Sequence, residues 1–192
     1  MRSYKIAILA SGRGSNAKSI LAYFADNPKV KIELIVSNNP KAGVLDLGIE
    51  YGIETMVVNK ADLHKSCTFE SKLEDLKIDL IVLAGFLWLI PERLIDLYPE
   101  KIINIHPALL PKYGGKGMYG QFVHEAVKKA GDAISGITIH YVDKYYDQGN
   151  QIFQKTCEIL PGDSSVEIAA KVLKLEHRHY PEIIEKIIEG IS

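Results

Sequence analysis

The sequence predicts an α/β fold in which a mostly parallel sheet carries helices on both of its faces. Short apolar runs alternate with amphipathic segments through the first half of the chain, which is typical of repeated β–α–β units. One run, Asp79–Ala84, is almost entirely apolar, as expected for a central parallel strand that is covered on both faces. The sheet is therefore predicted to be doubly wound and Rossmann-like.

The elements of the first half follow from this alternation. Strands are predicted over Tyr4–Ala10, Val30–Ser37, Thr55–Asn59, Asp79–Ala84 and Lys101–His106. Helices are predicted over Ser15–Asp26, Gly43–Tyr51, Phe69–Leu76 and Pro91–Tyr98. Proline suits the first turn of the last of these helices because its missing N–H has no partner there in any case.

The second half has a different pattern, which predicts a mixed extension of the sheet. A glycine-rich loop, Lys112–Gly120, precedes a helix over Gln121–Lys129. Ser135–Val142 alternates apolar and polar residues, and Asn150–Ile159 is predicted as a further strand, so these two indicate antiparallel or mixed pairing.

A long amphipathic helix is predicted over Ser164–Glu189. Ser164 and Glu167 have the spacing of a capping box at its start. Pro181 is expected to kink or break this helix after Tyr180 because it lacks the N–H that the helical ladder needs.

Composition bounds the function. The chain of 192 residues is expected to form one domain, 1–192, and its net charge of -1 offers no basic field for nucleic acid. The apolar run near the amino terminus is too short to span a membrane and does not resemble a signal peptide. Cys67 and Cys157 are expected to be free thiols in a reducing cytoplasm, and the histidines show no zinc-like spacing, so no metal site is expected.

A glycine-containing loop, Ser11–Asn16, follows the first predicted strand. Glycines permit a tight turn there, and the N-terminus of the next helix presents N–H groups and a positive dipole end to an anion. Ala17 occupies the third glycine position of a dinucleotide fingerprint, so a single phosphate fits better. A plain turn in which Ser15 or Asn16 caps the helix is an equally good interpretation of the loop alone.

A second group of polar residues ends the predicted strand Lys101–His106. Strand alternation places Asn104 and His106 on one side, where two donors suit a developing oxyanion. Asp143 and Asp147 follow in a later loop. We expect a carboxylate from this loop to face His106, raise its pKa and hold it protonated. Taken singly, each of these residue types is more often structural.

The segment NIHPALLPKY, Asn104–Tyr113, resembles the signature of the folate-dependent formyltransferases. Other segments match the same family, namely ASGRGSN near the amino terminus, VLAGF at Val82–Phe86, GITIHYVD at Gly136–Asp143, DQG at Asp147–Gly149 and LEHRHYP at Leu175–Pro181. The resemblance runs from about residue 4 to residue 188. SGRGSN and the short length point to the branch that acts on glycinamide ribonucleotide (GAR).

The resemblance implies transfer of a formyl group from 10-formyltetrahydrofolate to the amine of GAR, a step of purine biosynthesis, without a metal. It implies that residues from 1 to about 100 bind the phosphate and GAR, and that 101–192 hold the catalytic and folate sites. The implied catalytic residues are Asn104, His106 and Asp147, and the implied GAR ligands are Gly14, Ser15, Asn16, Pro107 and Glu176. The implied folate contacts are Phe86, Leu87, Trp88, Leu89, Ile90, Tyr141, Val142, Asp143 and Asp147.

Three segments of the chain depart from the family pattern. Many relatives have Met-Arg where this chain has Leu87 and Trp88, and Trp88 could stack on the cofactor or pack within the protein. No arginine stands in Lys65–Lys72, where some relatives have one. Lys112–Gly120 replaces a segment that usually contains histidine, and it could be a mobile loop near GAR or a surface turn.

Other functions remain as alternatives. Methionyl-tRNA formyltransferases carry a basic carboxy-terminal domain and formyltetrahydrofolate hydrolases an amino-terminal regulatory domain, neither of which is expected here. A formyltransferase for another small amine, such as a sugar nucleotide, would share the same catalytic residues. A non-catalytic phosphate-binding module would need the first loop alone. A monomer and a homodimer are both compatible with the sequence.

Overall fold

The computed structural model describes residues 3–190 and shows one seven-stranded sheet with the strand order β3-β2-β1-β4-β5-β6-β7. Strands β1 to β5 pair in parallel, whereas β6 runs antiparallel to β5 and β7 runs antiparallel to β6. This arrangement confirms the predicted mostly parallel sheet with mixed carboxy-terminal strands. The strands are β1 (Tyr4–Leu9), β2 (Val30–Ser37), β3 (Glu54–Val57), β4 (Leu80–Leu83), β5 (Ile102–His106), β6 (Ile134–Tyr141) and β7 (Gln151–Glu158).

Helices cover both faces of the sheet, as predicted. Successive residues of β1 face opposite sides of the sheet, since Ile6 and Ile8 belong to one hydrophobic core and Ala7 and Leu9 belong to the other. The first core includes residues of α1, α2, α6 and α7, and the second includes residues of α3, α4 and α5. The helices are α1 (Ser15–Phe24), α2 (Val44–Tyr51), α3 (Lys60–His64), α4 (Thr68–Leu76), α5 (Glu92–Leu97), α6 (Gln121–Ala130) and α7 (Ser165–Gly190).

One short helix was not expected from the sequence. Helix α3 begins after Asn59, whose side chain accepts hydrogen bonds from the amides of Ala61 and Asp62, and the Asp62 carboxylate in turn accepts from the amide of Asn59. Asn59 was expected to end a strand and instead caps a helix. Strand β3 accordingly ends at Val57.

Helix α7 continues through Pro181, so of the two expected outcomes, a kink or a break after Tyr180, the break is wrong. Because proline has no N–H, the carbonyl four residues earlier, that of His177, has no hydrogen-bond partner within the helix. The Ser19 hydroxyl of α1 donates to this carbonyl at 2.7 Å. The neighbouring helix thus supplies the hydrogen bond that proline removes. The predicted capping box is confirmed, since Ser164 and Glu167 bond each other's backbone amides.

Within residues 3–190, no helix is both long enough and apolar enough to cross a membrane.

Candidate active site

The site lies where the order of the parallel strands reverses, between β1 and β4. The chain proceeds outward from β1 to β3 and then returns to β4, and crevices at such points bind ligands in doubly wound sheets. The loops that follow β1 and β4 are joined here. The amide of Ser11 donates to the Gly85 carbonyl at 3.0 Å, and the amide of Leu87 donates to the Ser11 hydroxyl at 2.9 Å.

The first loop turns through Gly14 into helix α1. Gly14 has φ +82, and a Cβ built on it would lie 2.8 Å from Val44 Cβ, so both the backbone and the packing require glycine. Gly14 is itself the N-cap, and no side chain of the described residues caps the helix. The alternative in which Ser15 or Asn16 caps α1 is therefore wrong. The backbone amides at this helix end remain suited to an anion.

Asn16 and Glu176 join the first loop to the last helix. The Asn16 amide donates to a Glu176 carboxylate oxygen at 2.8 Å, and both side chains are buried. Burial raises the pKa of Glu176 to about 7, and the single Asn16 bond lowers it only in part. Asn16 Oδ1 has no hydrogen-bond partner among the described residues. Such an unpaired buried oxygen is costly unless a ligand or water satisfies it.

Strands β5 and β6 bring Asn104, His106 and His140 together. Asn104 pairs with His140 across the antiparallel register, and His106 pairs with Thr138. His140 Nδ1 lies 2.8 Å from the Tyr141 carbonyl, which can only accept, so Nδ1 carries the proton. His140 Nε2 lies 3.1 Å from the Asn104 side-chain nitrogen and 3.7 Å from an Asp147 carboxylate oxygen. His140 thereby orients Asn104, a contact that was not expected from the sequence.

Asp147 reaches this cluster from the loop between β6 and β7. One carboxylate oxygen accepts from the Gly115 amide at 2.9 Å, and the other lies 3.5 Å from both Asn104 Nδ2 and His106 Nδ1. Burial opposes ionisation, but His140, His106 and the Gly115 amide together outweigh it and lower the pKa of Asp147. Asp147 is thus held as an anion beside the two predicted donors.

His106 differs from expectation in its protonation. Burial lowers the pKa of His106, while the Asp147 carboxylate and the Tyr113 carbonyl raise it without offsetting the burial. The expectation that its pKa is raised is therefore wrong, although Asp147 does face the ring. His106 Nε2 lies 2.8 Å from the Tyr113 carbonyl and donates to it. The remaining nitrogen, Nδ1, faces Asp147.

A cleft of about 900 Å³ connects the first loop with the Asn104–His106–Asp147 cluster. It brings together most of the residues for which a role in catalysis or GAR binding was predicted. Gly14 does not line the cleft but shapes the loop beneath it. The predicted residues that line the cleft are Ser15, Asn16, Asn104, His106, Pro107, Asp147 and Glu176.

The residues predicted to contact the folate do not all lie in the cleft. Phe86 and Leu87 line the cleft, together with Tyr146 of the loop that precedes Asp147. Trp88 and Leu89 do not line it, and Ile90 is buried in the second core. Trp88 packs against that core, with its ring edge-on to Phe86. Tyr141, Val142 and Asp143 line a separate pocket of about 420 Å³.

The loop Lys112–Gly120 supplies contacts that its composition did not reveal. Tyr113 and Gly115 provide the backbone groups that bind His106 and Asp147. The loop is tethered outside the cleft, because Lys112 and the Tyr113 hydroxyl both bind Asp132. Within residues 3–190, no group of three or more His, Cys, Asp or Glu side chains is placed to hold a metal ion.

Comparison with known proteins assigns the chain to a family. Residues 4–184 match the formyl transferase family. The chain is 39% identical over 194 residues to the chloroplastic phosphoribosylglycinamide formyltransferase of Vigna unguiculata, covering 98% of this chain but only 62% of that relative. It is 35% identical to the Bacillus subtilis phosphoribosylglycinamide formyltransferase, covering 96% of this chain and 94% of that one.

A solved structure agrees with this assignment. The crystal structure of phosphoribosylglycinamide formyltransferase from Anaplasma phagocytophilum superposes with a TM-score of 0.89 at 34% identity, covering 98% of this chain and 88% of that one. The family match, the sequence identities and the shared fold cover nearly all of residues 3–190. The chain therefore belongs to the formyl transferase family.

Proposed function

We propose that this protein transfers the formyl group of 10-formyltetrahydrofolate to the amine of GAR, as a phosphoribosylglycinamide formyltransferase of purine biosynthesis. The observation that carries the proposal is the convergence of Asn104, His106 and Asp147 in one cleft with an uncapped helix N-terminus. The first group suits acyl transfer and the second suits a phosphate. The names of the Vigna and Bacillus relatives support the same reaction.

The phosphate of GAR would bind the backbone amides at the start of α1, around Ser15 and Asn16. Gly14 allows the turn that presents those amides. Asn16 and Glu176 face the same cleft and would receive the ribose, since a carboxylate and an amide suit its hydroxyls. Pro107 borders the path from this end to the catalytic cluster.

The residues of the cleft also fit a folate. A pterin needs a flat apolar surface with a few polar groups, and Phe86, Leu87 and Tyr146 supply such a surface next to Asp147. The folate contact is thus proposed for Phe86 and Leu87 more strongly than for Trp88, Leu89 and Ile90, which lie behind them. The contribution of Tyr141–Asp143 would be to position the loop that carries Asp147.

The reaction would begin with attack of the neutral GAR amine on the formyl carbon. The new carbon–nitrogen bond places negative charge on the formyl oxygen, and the bond to N10 of the folate then breaks. Asn104 can donate to that oxygen because one amide proton has only the long 3.5 Å contact with Asp147. His106 can donate after its Nε2–H exchanges the Tyr113 carbonyl for the formyl oxygen. Asp147 would take up the amine proton, directly or through water, and that proton would pass to N10 as the bond between N10 and the formyl carbon breaks.

The domain organisation, the location and the oligomeric state of the protein are proposed together with this reaction. One domain, 1–192, would hold GAR mainly with its first half and would carry out the chemistry with its second. The cytoplasm is the proposed location, since Cys67 and Cys157 are both free. The protein would act as a monomer or homodimer.

The test is absorbance-monitored transfer from 10-formyl-dideazafolate to GAR. We expect GAR-dependent turnover in the wild type and a loss of about 100- to 1000-fold in kcat for His106→Ala, because one oxyanion donor is removed. Folate binding without transfer to GAR would point to another amine acceptor. Absence of folate binding would overturn the proposal and favour a phosphate-binding module.

A further inference from the structure

His124 is a buried histidine of the cleft to which no role has been given above. It lies on α6, is only 6% exposed and lines the cleft together with His106. Its Nδ1 atom is buried and has no hydrogen-bond partner among residues 3–190. Buried polar groups are rarely left unpaired, so this side chain requires an explanation.

The surroundings of His124 favour the neutral ring. Burial lowers the pKa of His124, and any charge on the neighbouring His106 lowers it further. His124 also lies in the first turns of α6, where the positive end of the helix dipole opposes a second positive charge. A neutral imidazole carries its single proton on one of the two nitrogens.

The proton belongs on Nε2. A buried N–H without a partner is less tolerable than a buried lone pair without one, so the enclosed Nδ1 is best left unprotonated. Nε2 has no hydrogen bond within the described residues, and it is not enclosed as Nδ1 is. His124 therefore presents an unused N–H donor in the cleft.

The position of His124 indicates which substrate it meets. Helix α6 packs against α7, and the α7 residues Val172, Leu173 and Glu176 line the same cleft as His124. Phe86 and Leu87, the proposed folate surface, belong instead to the loop after β4. His124 thus shares the cleft with Glu176, on the neighbouring helix, and interacts electrostatically with His106, which favours a contact with the amine substrate over one with the folate.

We propose that His124 is a substrate-binding residue whose Nε2–H donates a hydrogen bond to the carbonyl oxygen of the glycinamide group, next to the reacting amine. The proposal rests on the function proposed above. Such a bond would hold the amine in line with the formyl carbon and would satisfy an N–H that the protein alone leaves unpaired.

The test compares His124→Phe, which keeps a ring of similar size without the donor, with His124→Gln, which keeps an N–H near the position of Nε2. For His124→Phe we expect KM for GAR to rise about 10-fold, since an unsatisfied polar group remains in the complex. KM for the folate should change less than about twofold, because the N–H contacts GAR alone. His124→Gln should recover most of the GAR affinity. His64→Phe, at an exposed position of α3, is the matched control.

The outcomes separate this proposal from the proposed function. Thermal unfolding checks that each variant folds, and His124→Leu replaces His124→Phe if the latter does not. Unchanged KM for GAR in the folded variants, or an equal rise for both substrates, would overturn the role of His124. If the wild type binds GAR without formylating it, the proposed reaction fails, and calorimetric titration of GAR into the same variants still decides the His124 contact.

Discussion

Two carboxylates in one cleft, those of the partly buried Asp147 and the buried Glu176, have pKa values shifted in opposite directions. Asp147 has a lowered pKa and Glu176 a pKa raised to about 7, although burial disfavours ionisation in both. Asp147 meets two histidines and the Gly115 amide, whereas Glu176 has the Asn16 amide alone. The polar groups around Asp147 and the deeper burial of Glu176 together account for the opposite shifts. The end of the cleft proposed for catalysis holds the Asp147 anion, and the end proposed for GAR binding holds a carboxyl group that gains or loses its proton near neutrality.

The largest expected effect concerns the Asp147 anion. Asp147→Asn should lower kcat about 100- to 1000-fold with little change in KM for GAR, because the amide cannot accept the amine proton. Steady-state kinetics measures this, with exposed Asp96→Asn as the control. Retention of more than about a tenth of wild-type kcat would show that the charge of Asp147 is not needed.

The acidity of Glu176 predicts a pH-dependent stability. Its folded pKa of about 7 lies above the ordinary glutamate pKa of 4.5, so its favourable contribution is complete below pH 4.5 and is lost as pH rises to 7. Relative to Glu176→Gln, the wild type should lose on the order of 3 kcal/mol of unfolding free energy across that window. Urea unfolding at several pH values tests this. Parallel curves for the two proteins would contradict the raised pKa.

A smaller effect separates two glycines of the first loop. Gly14→Ala should destabilise the protein by about 2 kcal/mol, because alanine at positive φ is strained and its Cβ would overlap Val44. Gly12→Ala is the matched control, since a Cβ there meets nothing within 4 Å. Thermal unfolding of both variants is the measurement. Equal stability losses would show that the loop tolerates side chains at either glycine.

The sequence predicts the parallel half of the fold well because each strand there is an apolar run of limited length. Prediction fails where the usual structural preference of a residue is overridden by a hydrogen bond that the sequence pattern does not reveal. Pro181 is expected to kink or break a helix, but the helix is not broken, and Ser19 of another helix bonds the His177 carbonyl. Asn59 suits either the end of a strand or a helix cap, and its partner Asp62 decides for the cap.

Prediction of the site is limited in the same way, because the sequence does not show which distant residues come into contact. Asn104 and His106 are predicted together because they belong to one strand. His140 is not, since its place beside Asn104 depends on the antiparallel register of β5 and β6. The acidity of His106 was predicted in the wrong direction because a sequence indicates nearby charges but not the burial that outweighs them. Ile90 was grouped with the cleft although its side chain faces the core.

The bond between Asn16 and Glu176 joins residues that are 160 positions apart, and Ser19 and His177 are joined in the same way across 158. On the ribosome, the amino-terminal strands emerge long before their closing helix is made. The loop Ser11–Asn16 therefore lacks its contact with α7 until that helix has been translated. Contacts of such long sequence separation slow folding, so the substrate cleft is expected to be the last part of the molecule to mature.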